Sequence, residues 1–351
     1  MRRVFAAACT LVFSMAALST VHTSARPAPD ERDAAIARAH VWQPTNIPSM
    51  NIMQGPGGPG AFPFRATVEC DYVSKDMSGR SPKFACRIGK EDEVKVKFGG
   101  TNGEVYAEVA SSRLLWALGF GADRMYPVRV VCRGCPREFN GTARENGDFV
   151  FDPASIERKV GEEISAEWSW QELDRVDAEA GGAPLAHRDA LKLLAVFLQH
   201  SDSKPQQQRL VCLEAGWKAG APCRRPLMMI NDLGLTFGKG TWVNTNDGSG
   251  MNLKAWAETP VWKEATGCVG NMPKSFTGTL DNPVISEAGR RFLASLMTQL
   301  TAAQIRDLFT VARVTLRGRT PGDGRDGFAT VDEWAHAFTQ KRAEIVNRRC
   351  A

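Results

Sequence analysis

Tyrosine and histidine are scarce in this chain, with three and five copies in 351 residues. His22 falls in the N-terminal apolar stretch, His40 in a polar arm, and His187 and His336 in helical patterns. Only His200 lies near the candidate catalytic carboxylates, and no G-x-S-x-G elbow accompanies it, so a hydrolase reading fares poorly. The single C-x-x-C, Cys132-Arg-Gly-Cys135, lacks the second pair or neighbouring histidines that zinc requires. Pro136 directly after it rules out haem attachment. Neither sign of charge dominates: 44 Lys+Arg face 39 Asp+Glu, too even a balance for nucleic acid or an anionic membrane surface. Beyond the N-terminus no stretch reaches the length of a membrane span, and no internal repeat occurs.

The one long apolar run, VFAAACTLVFSMAAL, follows Arg2 and Arg3 and ends in the small residues of VHTSA. That order predicts a secretory signal peptide over residues 1–25 and a chain exported to a periplasmic or extracellular compartment, with no membrane span after cleavage. Export changes how the cysteines read. Without Cys9, eight remain, an even number suited to disulfides in an oxidising compartment. Proximity suggests Cys70–Cys86, Cys132–Cys135, Cys212–Cys223 and, by remainder, Cys268–Cys350.

Residues 26–66 read as an extended N-terminal arm, rich in Gly and Pro at GPGGPG and without helical period. From 67 the texture changes to strands: ATVECDYV, KFACRI and EVKVKF, separated by turn compositions. NGEVYAEVASSRLLWALGFG then predicts a helix closed by Gly119 and Gly121, and MYPVRVVC a further strand. Beyond 136 the pattern is mixed, then mainly helical. SAEWSWQELDRV and LAHRDALKLLAVFLQ predict helices, RLVCL and PLMMIND a strand pair, and three more helices follow 285. The expected plan is α+β, with a β-rich small lobe over 67–136 and a larger, mainly helical lobe over 137–351.

Four features carry candidate chemistry. Lys95 and Lys97, two apart on a strand, project to one face, and a lysine there can hold phosphates if a carboxylate directs it. Glu108 on the next helix is that carboxylate, with Glu104 one turn earlier. QHSDSKPQQQ follows a buried-looking helix and precedes an apolar strand. Asp202 in that loop can accept a hydroxyl proton, with His200 supporting the loop, Lys204 beside it as a cation, and Gln207 five residues on as a metal-ligating amide. MINDLG ends an apolar strand on Asp232, a context for a Mg²⁺-binding carboxylate.

The order lysine strand, glutamate helix, strand, helix, Asp loop, strand, Asp-Leu-Gly resembles the protein-kinase-like superfamily, nearest to its secretory-pathway and HipA-type bacterial branches. The resemblance covers about residues 67–240 and rests on AEVASSRLLWALGF, QHSDSKPQQQ and INDLGLTFG. It implies a bilobal, disulfide-stabilised kinase-like fold that binds ATP or another nucleotide with Mg²⁺ or Mn²⁺. Lys97 or Lys95 would pair with Glu108 and hold phosphates, Asp202 would be the base, and Asp232 the metal ligand. SGRSPKF would cover the phosphates with Gly79, Ser81 and Lys83, and VRVVC would lie at the hinge that reads adenine. Gln207 departs from the usual Asn or Glu, Lys204 from the usual histidine, and an inserted hairpin over 212–223 lengthens the spacing to Asp232. These departures also admit a weak or inactive kinase fold serving as a binding module, or a structural disulfide protein. The phosphate acceptor, whether protein, sugar, lipid or small molecule, is left open.

Overall fold

The computed structural model describes residues 29–139, 141–238, 250–317 and 329–350, so the expected signal peptide, residues 1–25, lies outside the described residues. The chain is mixed α+β. Its first sheet comprises β1 (Ala66–Val73), β2 (Lys83–Ile88), β3 (Asp92–Phe98), β4 (Arg124–Arg133), β5 (Ala143–Glu145) and β6 (Asp148–Arg158). Helix α1 (Pro29–Ala37) precedes them, and α2 (Glu104–Leu118) lies between β3 and β4. Strands β1, β2, β3, β6 and β4 close into a five-stranded barrel, with β5 hanging on β6. Closure comes from the antiparallel pairing of β3 with β6, Lys95 opposite Glu157 through Phe98 opposite Ala154, while β1 pairs in parallel with β4. Alternation in β1 turns Val68 and Cys70 inward, where Phe84, Phe98 and Phe151 fill the interior.

The sheet therefore runs past residue 136, the expected end of the small lobe, because β6 is its longest strand and pairs with both β3 and β4. Strand β4 has partners on both edges, so the VRVVC stretch is an interior stave. The hinge expectation for it is corrected accordingly: the chain leaves the barrel at the end of β6, through residues 159–161.

Those residues lead into a second, three-stranded sheet of β7 (Glu162–Ser165), β8 (Gln208–Cys212) and β9 (Pro226–Ile230). Helix α3 (Leu185–Leu198) separates β7 from β8 in sequence and is buried from Asp189 onward, with only Lys192 partly exposed. SAEWSWQELDRV forms only a 3-10 turn over Trp170–Arg175, because Trp168 and Trp170, two residues apart, are both buried, a spacing that a helix would place on different faces. The remaining helices are α4 (Leu253–Glu258), α5 (Glu287–Met297), α6 (Ala302–Val311) and α7 (Val331–Asn347). Thr301 and Thr330 open α6 and α7 with full capping boxes, satisfying first-turn N–H groups. An aromatic cluster of Phe197, Phe237, Trp256, Phe309, Trp334 and Phe338 joins α4, α6 and α7 to α3.

The N-terminal arm is not a free linker. Pro29–Ala37 is helical, and Ile36, Val41, Ile47 and Ile52 are fully buried. Gln43 N–H donates to the Gly119 carbonyl, and Trp42 Nε1 donates to the Leu118 carbonyl. Gly119 ends α2 at φ +87°, and a Cβ there would fall 2.0 Å from the Gln43 carbonyl oxygen. Both facts require glycine. All four expected disulfides are present, with Cα–Cα separations of 5.4 to 5.9 Å.

Candidate functional site

The site is built where β3, the first turns of α2 and the segment after β9 meet. Pairing of β3 with β6 sets Lys95 opposite Glu157 and Lys97 opposite Ser155. Lys95 is consumed by that geometry, forming an ion pair with Glu157. Lys97 is 1% exposed and donates to Glu108 Oε1 and, at 2.6 Å, to Glu104 Oε2. The two glutamates are one helical turn apart, so both reach the same ammonium. One oxygen each of Glu104, Glu108 and Asp232 lies within 4.8 Å of the others. The second oxygen of Glu108 is buried and has no hydrogen-bond partner.

Electrostatics follow from this crowding. Burial opposes the Lys97 charge, but Asp232, Glu108 and Glu104 together outweigh it and hold the ammonium well above its ordinary value. Burial raises the Glu108 carboxyl well above the usual range, with Lys97 opposing. Burial would also raise Asp232, yet Lys97 and the Gly234 N–H, which donates to its Oδ1 at 3.0 Å, keep it below the carboxylate range. Asp232 is thus the anion and Glu108 the protonatable member of the group.

The loop between β1 and β2 folds toward the same group. Ser81 Oγ donates to Glu104 Oε2 at 2.7 Å, and Lys83 Nζ lies 3.5 Å from Ser81 Oγ. Burial and the neighbouring Lys97 lower the Lys83 ammonium. Gly79, at φ +89°, leaves the space that Lys83 Nζ fills, since a Cβ there would sit 2.7 Å from it.

The Asp202 loop is laced to the Asp232 segment through the backbone. Ser201 N–H donates to the Leu235 carbonyl, and the Gln207 carbonyl accepts from the N–H groups of Asn231 and Asp232. Asp202 Oδ2 accepts from Lys204 Nζ at 3.1 Å and Gln207 Nε2 at 2.8 Å. Gln207 thus directs its amide nitrogen to Asp202, the residue it was expected to complement at a metal. His200 is fully buried, its ring nitrogens have no partner, and burial lowers it to about 4, so it is neutral at ordinary pH.

No expected role from the sequence attaches to Glu104, Asp123 or Arg209. Glu104 had a visible signal, its one-turn spacing from Glu108. Asp123 and Arg209 lie 86 positions apart, and nothing local links them.

No family model and no curated protein matches the chain. Among solved structures it is similar to the crystal structure of a Helicobacter pylori proinflammatory kinase, CtkA, at 8% identity and a TM-score of 0.44, over 80% of this chain and 96% of that one.

Proposed function

We propose that this protein is an exported, kinase-like phosphotransferase that binds a nucleotide and a divalent cation between the barrel and the second sheet. The observation that carries it is the buried Lys97, held by Glu104 and Glu108 of α2 against Asp232. A fixed ammonium beside an ionised aspartate is the arrangement that a phosphate chain and its counter-cation require. The Gly79–Lys83 loop supports the reading, since it brings Ser81 and Lys83 to the same place. On this reading the barrel and the helical part are the two lobes, and the four disulfides suit an oxidising compartment.

The residues present fit a hard cation such as Mg²⁺ or Mn²⁺, because three carboxylates each offer an oxygen within 4.8 Å of the others. Asp232, Glu108 and Glu104 would hold it, and it would neutralise charge on the phosphates. Lys97 would hold the chain of phosphates while Lys83 and Ser81 close over it. Asp202 would orient the acceptor hydroxyl and take its proton, with Lys204 offsetting charge on the transferring group.

One observation favours a second reading, a weakly active or inactive binding module. Asp202 Oδ2 already accepts from Lys204 and Gln207, so an acceptor hydroxyl would have to compete with two donors for that oxygen. Thermal shift with ATP and Mg²⁺ or Mn²⁺ tests nucleotide binding, which must raise the melting temperature. No shift at millimolar nucleotide sinks both readings. Labelled ATP then separates them: transfer by wild type, lost in Asp202→Ala and Asp232→Ala, supports the enzyme. Binding without transfer supports the module.

A further inference from the structure

Three glycines of the GPGGPG stretch have left-handed backbone, and each of them meets an arginine. A Cβ on Gly55 would fall 1.0 Å from Arg113 Nη1, and one on Gly60 would fall 2.9 Å from Arg158 Nε. Both positions therefore exclude a side chain by space as well as by backbone. Gly58 lies further off, its Cβ position 3.9 Å from Arg124 Nη1. Arg124 Nη1 donates to the Gly57 carbonyl at 3.2 Å, and Arg158 Nε donates to the Gly60 carbonyl at 3.0 Å.

The three arginines differ in what balances their charge. Arg158 is paired with Asp92 through two nitrogens. Arg124 binds that backbone carbonyl and, among the described residues, no carboxylate. Arg113 is 1% exposed, and none of its three guanidinium nitrogens has a hydrogen-bond partner. Its Cζ lies 5.3 Å from the centre of the Tyr126 ring, a cation–π contact. Burial lowers the guanidinium to about 10, which leaves it charged at neutral pH. Buried charges are as a rule paired, so Arg113 is an unbalanced cation where the dielectric screens little.

A cavity of 590 Å³, a volume that suits a small organic molecule, is lined by residues between Asn51 and Phe64. Gln54 and Pro56 in its lining flank Gly55, where the chain is backbone alone and Arg113 lies against it. Tyr126, the ring that Arg113 covers, donates its hydroxyl to the Pro56 carbonyl at 2.8 Å. Gly57, whose carbonyl Arg124 holds, belongs to the lining too. Met53, Phe62 and Phe64 make the rest of the wall apolar, and no acidic side chain lines the cavity. An anion held there lowers the electrostatic cost of burying Arg113, which a neutral solute cannot do.

We propose that this cavity binds a small organic anion with an apolar ring, the ring packing on Phe62 and Phe64 and the charge attracted by Arg113 and Arg124. Aromatic faces favour a flat ring, and the two arginines supply positive charge that no carboxylate cancels. The proposal stands apart from the phosphotransferase reading, since it uses no residue of the Lys97 group.

Thermal shift of the purified full chain against 2-naphthoate, 2-naphthyl phosphate and the neutral 2-naphthalenemethanol tests it. At least one of the two anions is expected to raise the melting temperature with an apparent affinity at least about tenfold above that of the alcohol. The tighter of the two anions names the head group. Arg113→Met removes an unpaired buried charge, so it is expected to fold at least as well as wild type and to lose the preference for anions. Arg124→Gln, at a half-buried position, is expected to cut that preference about threefold, and it decides the question if Arg113→Met does not fold. An undiminished preference in the deciding variant overturns the proposal. Equal stabilisation by the alcohol, or no shift from either anion at millimolar concentration, does the same.

Discussion

At the scale of single residues, Lys97 faces Glu104, Glu108 and Asp232 at the closest range, with Lys83 and Lys95 nearby sharing the charge. Replacing it leaves the carboxylates to repel one another. Lys97→Met is expected to lose the nucleotide-dependent thermal shift and to lower stability by about 3 to 5 kcal/mol, measured by urea unfolding. Glu104 is less enclosed than Glu108, its side chain 18% exposed against 4%. Glu104→Gln is expected to fold normally and to weaken Mn²⁺ binding at least tenfold, read by thermal shift with metal alone. A second buried lysine stands away from the site. Lys341 lies over the Trp256 ring at 5.6 Å, and burial lowers it to about 8. The unfolded chain binds that proton more tightly, so stability from this group rises as pH climbs from about 8 to the ordinary lysine value. Lys341→Met should therefore be more stable than wild type near pH 7, by up to about 3 kcal/mol, and the advantage should shrink toward pH 10 in parallel melts.

At the scale of elements, the local signals were legible where one face of the chain is buried. Strand β1 alternates, α2 carries its glycine stop, and β8 and β9 pair as their apolar runs suggest. The arm was illegible for a physical reason: Ile36, Val41, Ile47 and Ile52 join the main core at spacings of five, six and five residues, which follow neither the helix nor the strand period. Strand β6 carries Pro153, a residue unsuited to a strand interior, yet the flanking residues pair with β3 and β4. The disulfides were legible from cysteine order alone, and their loops differ in length. Cys212–Cys223 closes 11 residues and Cys268–Cys350 closes 82. Chain-entropy reasoning gives about 3 kcal/mol for the first and about 4.5 kcal/mol for the second. Paired Cys→Ser variants should follow that order in urea midpoint, and the reverse order would place the stabilisation in native-state contacts.

At the scale of the whole molecule, the barrel and the second sheet are joined by the buried Asp123–Arg209 pair as much as by the chain. Burial pushes the Asp123 carboxyl up to about 6 against the opposing field of Arg209, the mark of a charge retained only by its partner. Arg209→Met alone is expected to destabilise by about 3 to 5 kcal/mol, whereas Asp123→Leu combined with Arg209→Met should recover most of that loss. A double variant no better than the single would mean that the hydrogen bonds of both side chains to Val160, not the charges, hold the junction. The sequence by itself determined the residues that bear charge and where along the chain they sit: Lys97 on a strand, Glu108 on the next helix, Asp202 in a loop and Asp232 at a strand end. Local propensity and polarity are enough to write that order. Tertiary structure decided which of them meet. Register between β3 and β6 assigned Lys95 to Glu157 and Lys97 to the helix, and Gln207 turned toward Asp202. The closed barrel moved the connection to residues 159–161, where an aspartate and an arginine distant in sequence now fill the space, because strand pairing and burial act between residues that no local pattern relates.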